Sequence, residues 1–130
     1  MHTDVKIGDV TVPMISNAAT DFMYRQIFQE DPTRIQYSLS DDEEDKTAQA
    51  ENQIIMLEFL QRMGFVMAKN VELGVSDMVK LKKDIDFMEW LVQFPRADYL
   101  EALSDIRAVY EGQDVEVIDA KKNPEEPNEK

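Results

Sequence analysis

The side chains that most often run chemistry are scarce in this chain. It has no Cys, and its single His is His2, near a terminus where a general base would be poorly held. The four glycines, at positions 8, 64, 74 and 112, are too scattered to form a phosphate-cradling loop. There is no nucleophile elbow and no pair of histidines at metal-binding spacing. Asp84, Asp86 and Glu89 form close acidic pairs, but a chain with 27 acids makes such pairs by chance. The run Asp41-Asp42-Glu43-Glu44-Asp45 lacks the Gly and the distal Glu of a calcium loop. No catalytic, cofactor-binding or metal-binding residue is therefore assigned, and no enzymatic activity is expected.

The residue types that remain suit contact rather than bond-making. Tyr24 and Phe28 lie four apart, so on a helix they should stack along one side. Arg25 between them can pair with a carboxylate or lie on an aromatic ring. Trp90, the only Trp, stands in the dense stretch Phe87-Met88-Glu89-Trp90-Leu91-Val92-Gln93-Phe94 and would anchor a partner if partly exposed. Tyr24, Arg25, Phe28 and Trp90 are the candidate partner-binding residues. The competing reading is ordinary packing, under the hairpin for Tyr24 and Phe28 and in the core for Trp90. The eight methionines fill uneven cores and also suit adaptable surfaces.

The elements that must position these residues follow from pattern. Val5-Lys6-Ile7 and Val10-Thr11-Val12 alternate around Gly8-Asp9, which predicts a tight β-hairpin within 5–15 whose Val5, Ile7, Val10 and Val12 share a face. Pro13 should mark an edge or end the pairing. Ser16 or Asn17 should cap a first helix carrying Phe22, Met23 and Ile27 inward. Asp31-Pro32 should stop it, and 30–47 reads as an acidic mobile loop. A long helix from Ala48 to about Lys69 is apolar nearly all round, as expected of a central core helix or a subunit contact, and Gly64 inside it marks either a close crossing or a break. Ser76 or Asp77 should cap a helix with Met78, Leu81, Ile85, Met88 and Val92 as one apolar stripe, ended by Pro95. Asp98 should cap a last helix with Leu100, Leu103, Ile106 and Tyr110, closing near Gly112. The fold class is mainly α with a small N-terminal β-hairpin (α+β): one compact domain of about four helices over 1–112, then a disordered polar tail over 113–130.

The 130 residues carry 43% hydrophobic content, enough for one core, and a formal charge of −13. That acidity repels phosphate, so neither nucleic acid nor an anionic membrane is an expected partner. No apolar run reaches the length of a membrane span, and the opening Met1-His2-Thr3-Asp4 carries no signal core, so a cytosolic protein is expected.

The hairpin-then-helix opening with Ser16, Ala18, Ala19, Thr20, Tyr24, Arg25 and Phe28 resembles the tail assembly chaperones of long-tailed bacteriophages, particularly those of Gram-positive hosts. A second similarity runs through Phe87-Met88-Glu89-Trp90-Leu91, Leu100 and Leu103 to a polar tail. In place of the family's compact turn after the helix, this chain has Gln29-Glu30-Asp31-Pro32. The resemblance implies a largely helical, self-associating protein of the host bacterial cytoplasm. It would coat the tape-measure protein until the tail tube protein polymerises around it, and would be absent from the mature virion. It also implies a longer frameshifted product, for which Ala120-Lys121-Lys122-Asn123 is a candidate slippery site.

Two other readings fit parts of the sequence. An acidic inhibitor that mimics DNA and blocks a host DNA-binding protein would explain the charge, but its carboxylates should be arrayed on one face, and here they gather in a loop and a tail. A structural tail or connector subunit would instead persist in mature particles.

Overall fold

The computed structural model describes residues 2–37 and 46–112. Residues 38–45 of the expected acidic loop, and the expected tail 113–130 with its candidate slippery site, lie outside the described residues. What is described is mainly helical behind a two-stranded antiparallel hairpin, as the patterning predicts.

Strands β1 (Thr3–Ile7) and β2 (Val10–Met14) pair Val5 with Val12 and Ile7 with Val10. Gly8 takes a positive φ of 64° while Asp9 does not, the arrangement of a two-residue II′ turn whose twist suits the flanking strands. Val5, Ile7, Val12 and Met14 are buried on one face. Val10 is not, contrary to expectation. The Asp98 side chain, in the first turn of the last helix, sits against Gly8, while Val10 beyond the turn is exposed. Pairing also continues through Pro13 to Met14.

Neither Ser16 nor Asn17 holds the N-cap of the first helix, which is Ala19; Asn17 instead closes the turn that leads into it. Its Oδ1 accepts the Ala19 N–H at 2.9 Å, and its own N–H donates to Thr20 Oγ1 at 2.8 Å. Two orphan donors are thereby satisfied reciprocally. Ser16 instead donates to the Tyr110 carbonyl at 3.0 Å. Helix α1 (Thr20–Phe28) buries Met23, Tyr24, Ile27 and Phe28, but Phe22 faces solvent. It ends at Gln29, whose φ of 58° is left-handed.

Pro32 does not end that helix. It opens a short new one, α2 (Pro32–Tyr37), so the region taken as loop from residue 30 is partly helical. The reason is local: a proline at the first helical position loses no hydrogen bond, and Asp31 Oδ1 accepts the Thr33 N–H at 3.0 Å.

Helix α3 (Lys46–Glu72) is the spine, buried from Phe59 to Ala68 apart from its Gln61 and Arg62 side. Its earlier half is only partly covered, with Ile54 exposed. Helix α6 (Arg96–Tyr110) crosses it at Gly64, where a Cβ would collide with the Tyr99 hydroxyl. Asp98 does not cap α6; Pro95 holds that place. At the other end Gly112, with φ of 81°, closes the helix by donating to the Val109 carbonyl at 3.0 Å. The hairpin lies over these two helices, β1 on α6 and β2 on α3.

The single helix expected over 76–94 is three pieces: α4 (Val75–Met78), a π-helical turn Lys83–Phe87, and α5 (Met88–Leu91). Asp86 explains the wide turn. Its Oδ2 accepts the Lys82 N–H at 2.7 Å, tying the segment back on itself. The N–H groups of Asp86 and Phe87 both reach the Lys82 carbonyl, at 2.9 and 3.4 Å.

Candidate interaction surface

Of the four candidate residues, three belong to the core. Tyr24, Phe28 and Trp90 are all buried, as the competing reading of ordinary packing has it. Tyr24 and Phe28 do stack, at 5.1 Å between centroids. The contacts continue from Phe28 to Phe87 at 5.1 Å, from Phe87 to Phe65 at 5.5 Å and from Phe65 to Trp90 at 5.7 Å. Trp90 then meets Phe94 at 4.9 Å and Tyr99 at 6.0 Å. Large rings cover the most area when they pack on one another, and this chain of edge contacts joins α1, α3, α5 and α6.

Polar ends of these rings are satisfied within the fold. The Tyr24 hydroxyl donates to Glu30 Oε1 at 3.1 Å, and Arg62 Nη1 donates to the same oxygen at 3.0 Å. Burial pushes the Tyr24 hydroxyl well above its ordinary pKa, opposed by Arg62 and assisted by Glu30. The Tyr99 hydroxyl, donating to the carbonyls of Leu60 at 3.1 Å and Gln61 at 3.2 Å, is pushed up by burial alone.

Arg25 is the one candidate on the surface. Its guanidinium lies 5.7 Å from the centre of the Phe22 ring, and Nη1 is 3.9 Å from Asp31 Oδ1. It borders an open cleft of about 700 Å³ lined also by Gln29, Glu30, Asp31, Arg34 and Ile35. Charges of both signs line it, Arg25 and Arg34 with Glu30 and Asp31. Among the described residues no group of three or more acids or histidines is placed to hold a metal, and no helix is long and apolar enough to cross a membrane.

The feature that stands out is the way the expected apolar stripe divides. Met78 is buried, but Ile85, Met88 and Val92 are 55%, 46% and 70% exposed. They follow helical spacing along the π-turn and α5, while Phe87, Trp90 and Phe94 occupy the inward face. The preceding segment adds exposed Val75 and Val79. Exposed Asp84 and Glu89 flank the outward stripe on its two sides. The segment is thus apolar on two opposite faces, and the core takes the aromatic one because it buries more area. The available signal was size: every ring in 83–94 lies off the expected stripe. No protein-family model, no curated protein and no solved structure matches this chain.

Proposed function

We propose that this protein is a tail assembly chaperone of a long-tailed bacteriophage, keeping a tape-measure protein soluble in the host cytoplasm until tail tube protein encloses it. The observation that carries the reading is the outward stripe of Ile85, Met88 and Val92. Such a stripe fits the apolar face of a client helix, and the chain's charge of −13 supplies a solvating exterior. The opening motif from Ser16 to Phe28 supports the family; its aromatic members serve by building the domain that displays the stripe.

The stripe is short, and each side chain contributes only about 1.5–3 kcal/mol when fully covered. A single contact of that size is weak and reversible. Many copies along one long client would hold it by avidity, and incoming tube subunits could displace them one at a time.

Co-expression with a tape-measure fragment tests this. The wild-type chain should raise the fragment's soluble fraction several-fold, and Ile85→Asp with Val92→Asp should abolish the gain while leaving the melting transition in place. A wild-type chain with no effect on solubility ends the functional reading. A double variant that protects as well as wild type removes the stripe as the client surface.

A further inference from the structure

The hairpin has two edges, and they are unequal. A two-residue turn makes Ile7 and Val10 a hydrogen-bonded pair, and alternation does the same for Val5 with Val12 and Thr3 with Met14. The backbone groups of Thr11, Pro13 and Ile15 therefore point away from β1. Pro13 has no N–H to offer there, and the Ile15 N–H is already used on the Met67 carbonyl at 3.1 Å. On the other strand the outward groups are those of Asp4 and Lys6. Among the described residues no backbone partner meets them. Their side chains are exposed, and Lys6 makes no ion pair among the described residues.

We propose that this open edge of β1 is a self-docking site, where a second copy of the chain adds its own β1 antiparallel, centred on Val5, to form a four-stranded sheet. The register follows from charge. Outward backbone groups must face outward groups, so allowed registers differ by steps of two residues. Centring on Val5 sets Asp4 opposite the other copy's Lys6, twice over by symmetry, with four backbone hydrogen bonds between them. A step one way sets Asp4 against Asp4, and a step the other way sets Lys6 against Lys6. Like charges directly opposite are destabilising, and opposite ones stabilise. His2 Nε2 lies 3.1 Å from one Asp4 oxygen, which leaves the second oxygen for the incoming lysine. The edge is self-complementary, as a two-fold contact requires. This contact is independent of the outward stripe and of the chaperone reading.

Sedimentation equilibrium of the full chain and its charge variants tests the proposal. The wild type should dimerise. Lys6→Asp alone and Asp4→Lys alone should each weaken the dimer by roughly tenfold to a hundredfold, since each replaces two attractive pairs by two repulsive ones. Mixing the two variants should restore dimers, and so should placing both changes on one chain. Circular dichroism should show all variants folded, because both side chains are on the solvent face. A wild type that stays monomeric at millimolar concentration overturns the proposal. So does a dimer indifferent to the charge changes, or one weakened by both but not restored on mixing.

Discussion

Tyr99 reaches across the helix crossing to rest its hydroxyl on Gly64, where it donates to the Leu60 carbonyl at 3.1 Å. Gly64→Ala gains helix propensity of about 1 kcal/mol, but its methyl group meets that hydroxyl. Net destabilisation of about 1–3 kcal/mol is expected, as for overpacking elsewhere. Tyr99→Phe removes the colliding atom. The cost of Gly64→Ala should therefore be smaller when Tyr99→Phe is already in place, and urea denaturation of the four proteins reads the difference.

The two buried tyrosines set an alkaline limit. Both native hydroxyls titrate above their ordinary value of 10.0, so the unfolded chain loses its protons first as pH rises. Below about pH 10 neither state is ionised and these groups leave stability unchanged; above it the unfolded state binds fewer protons and stability falls. Melting followed from pH 8 to 11 should show that decline at the upper end. Its slope should be shallower in Tyr99→Phe.

Arg25 and Trp90 should part company under mutation. Arg25 is exposed, and its 3.9 Å pair with Asp31 is loose, so Arg25→Ala should change stability by less than about 1 kcal/mol. Trp90→Ala empties the meeting point of Phe65, Phe94 and Tyr99 and should cost about 3–5 kcal/mol. Thermal melts of the two variants side by side check this.

Glu30 holds Tyr24 and Arg62 through one oxygen, joining the end of α1 to α3. Glu30→Ala leaves the Tyr24 hydroxyl without that acceptor and should cost about 1–3 kcal/mol. Tyr24→Phe in the same background should cost little more, because the bond is already gone. A double-mutant cycle by chemical denaturation measures it.

Ile85 and Phe87 give the cleanest contrast between the two faces of one segment. Ile85→Ser should fall within about 0.5 kcal/mol of wild type, as exposed substitutions do. Phe87→Ser should be severely destabilising, since that ring bridges Phe28 and Phe65. Equal losses at both positions would mean that the stripe is covered by something in the native state.

The hairpin, the long helix and the last helix were legible because each has a strong local signal. Gly8-Asp9 between alternating runs demands a turn, and Gly64 in an apolar helix marks a crossing or a break, of which the structure has the crossing. The 75–94 segment was not legible in the same way. Its three-four spacing fits Ile85, Met88 and Val92 as well as it fits Phe87, Trp90 and Phe94, and periodicity alone does not say which side faces in. Pro32 misled for a similar reason, since a proline ends one helix or begins another depending on what precedes it. The candidate residues Tyr24, Phe28 and Trp90 were picked for their size, which is also why the core claims them.

Pro13 sets a ceiling on growth. A small hairpin with two receptive edges would let copy after copy join, the path that leads to fibres and to loss of protein in a crowded cell. One imino acid, with Ile15 tied to the spine, leaves Thr11 as the one outward N–H of the far strand without a backbone partner among the described residues. A pair of copies joined at β1, as proposed, would therefore offer no second ladder of equal strength on which to grow.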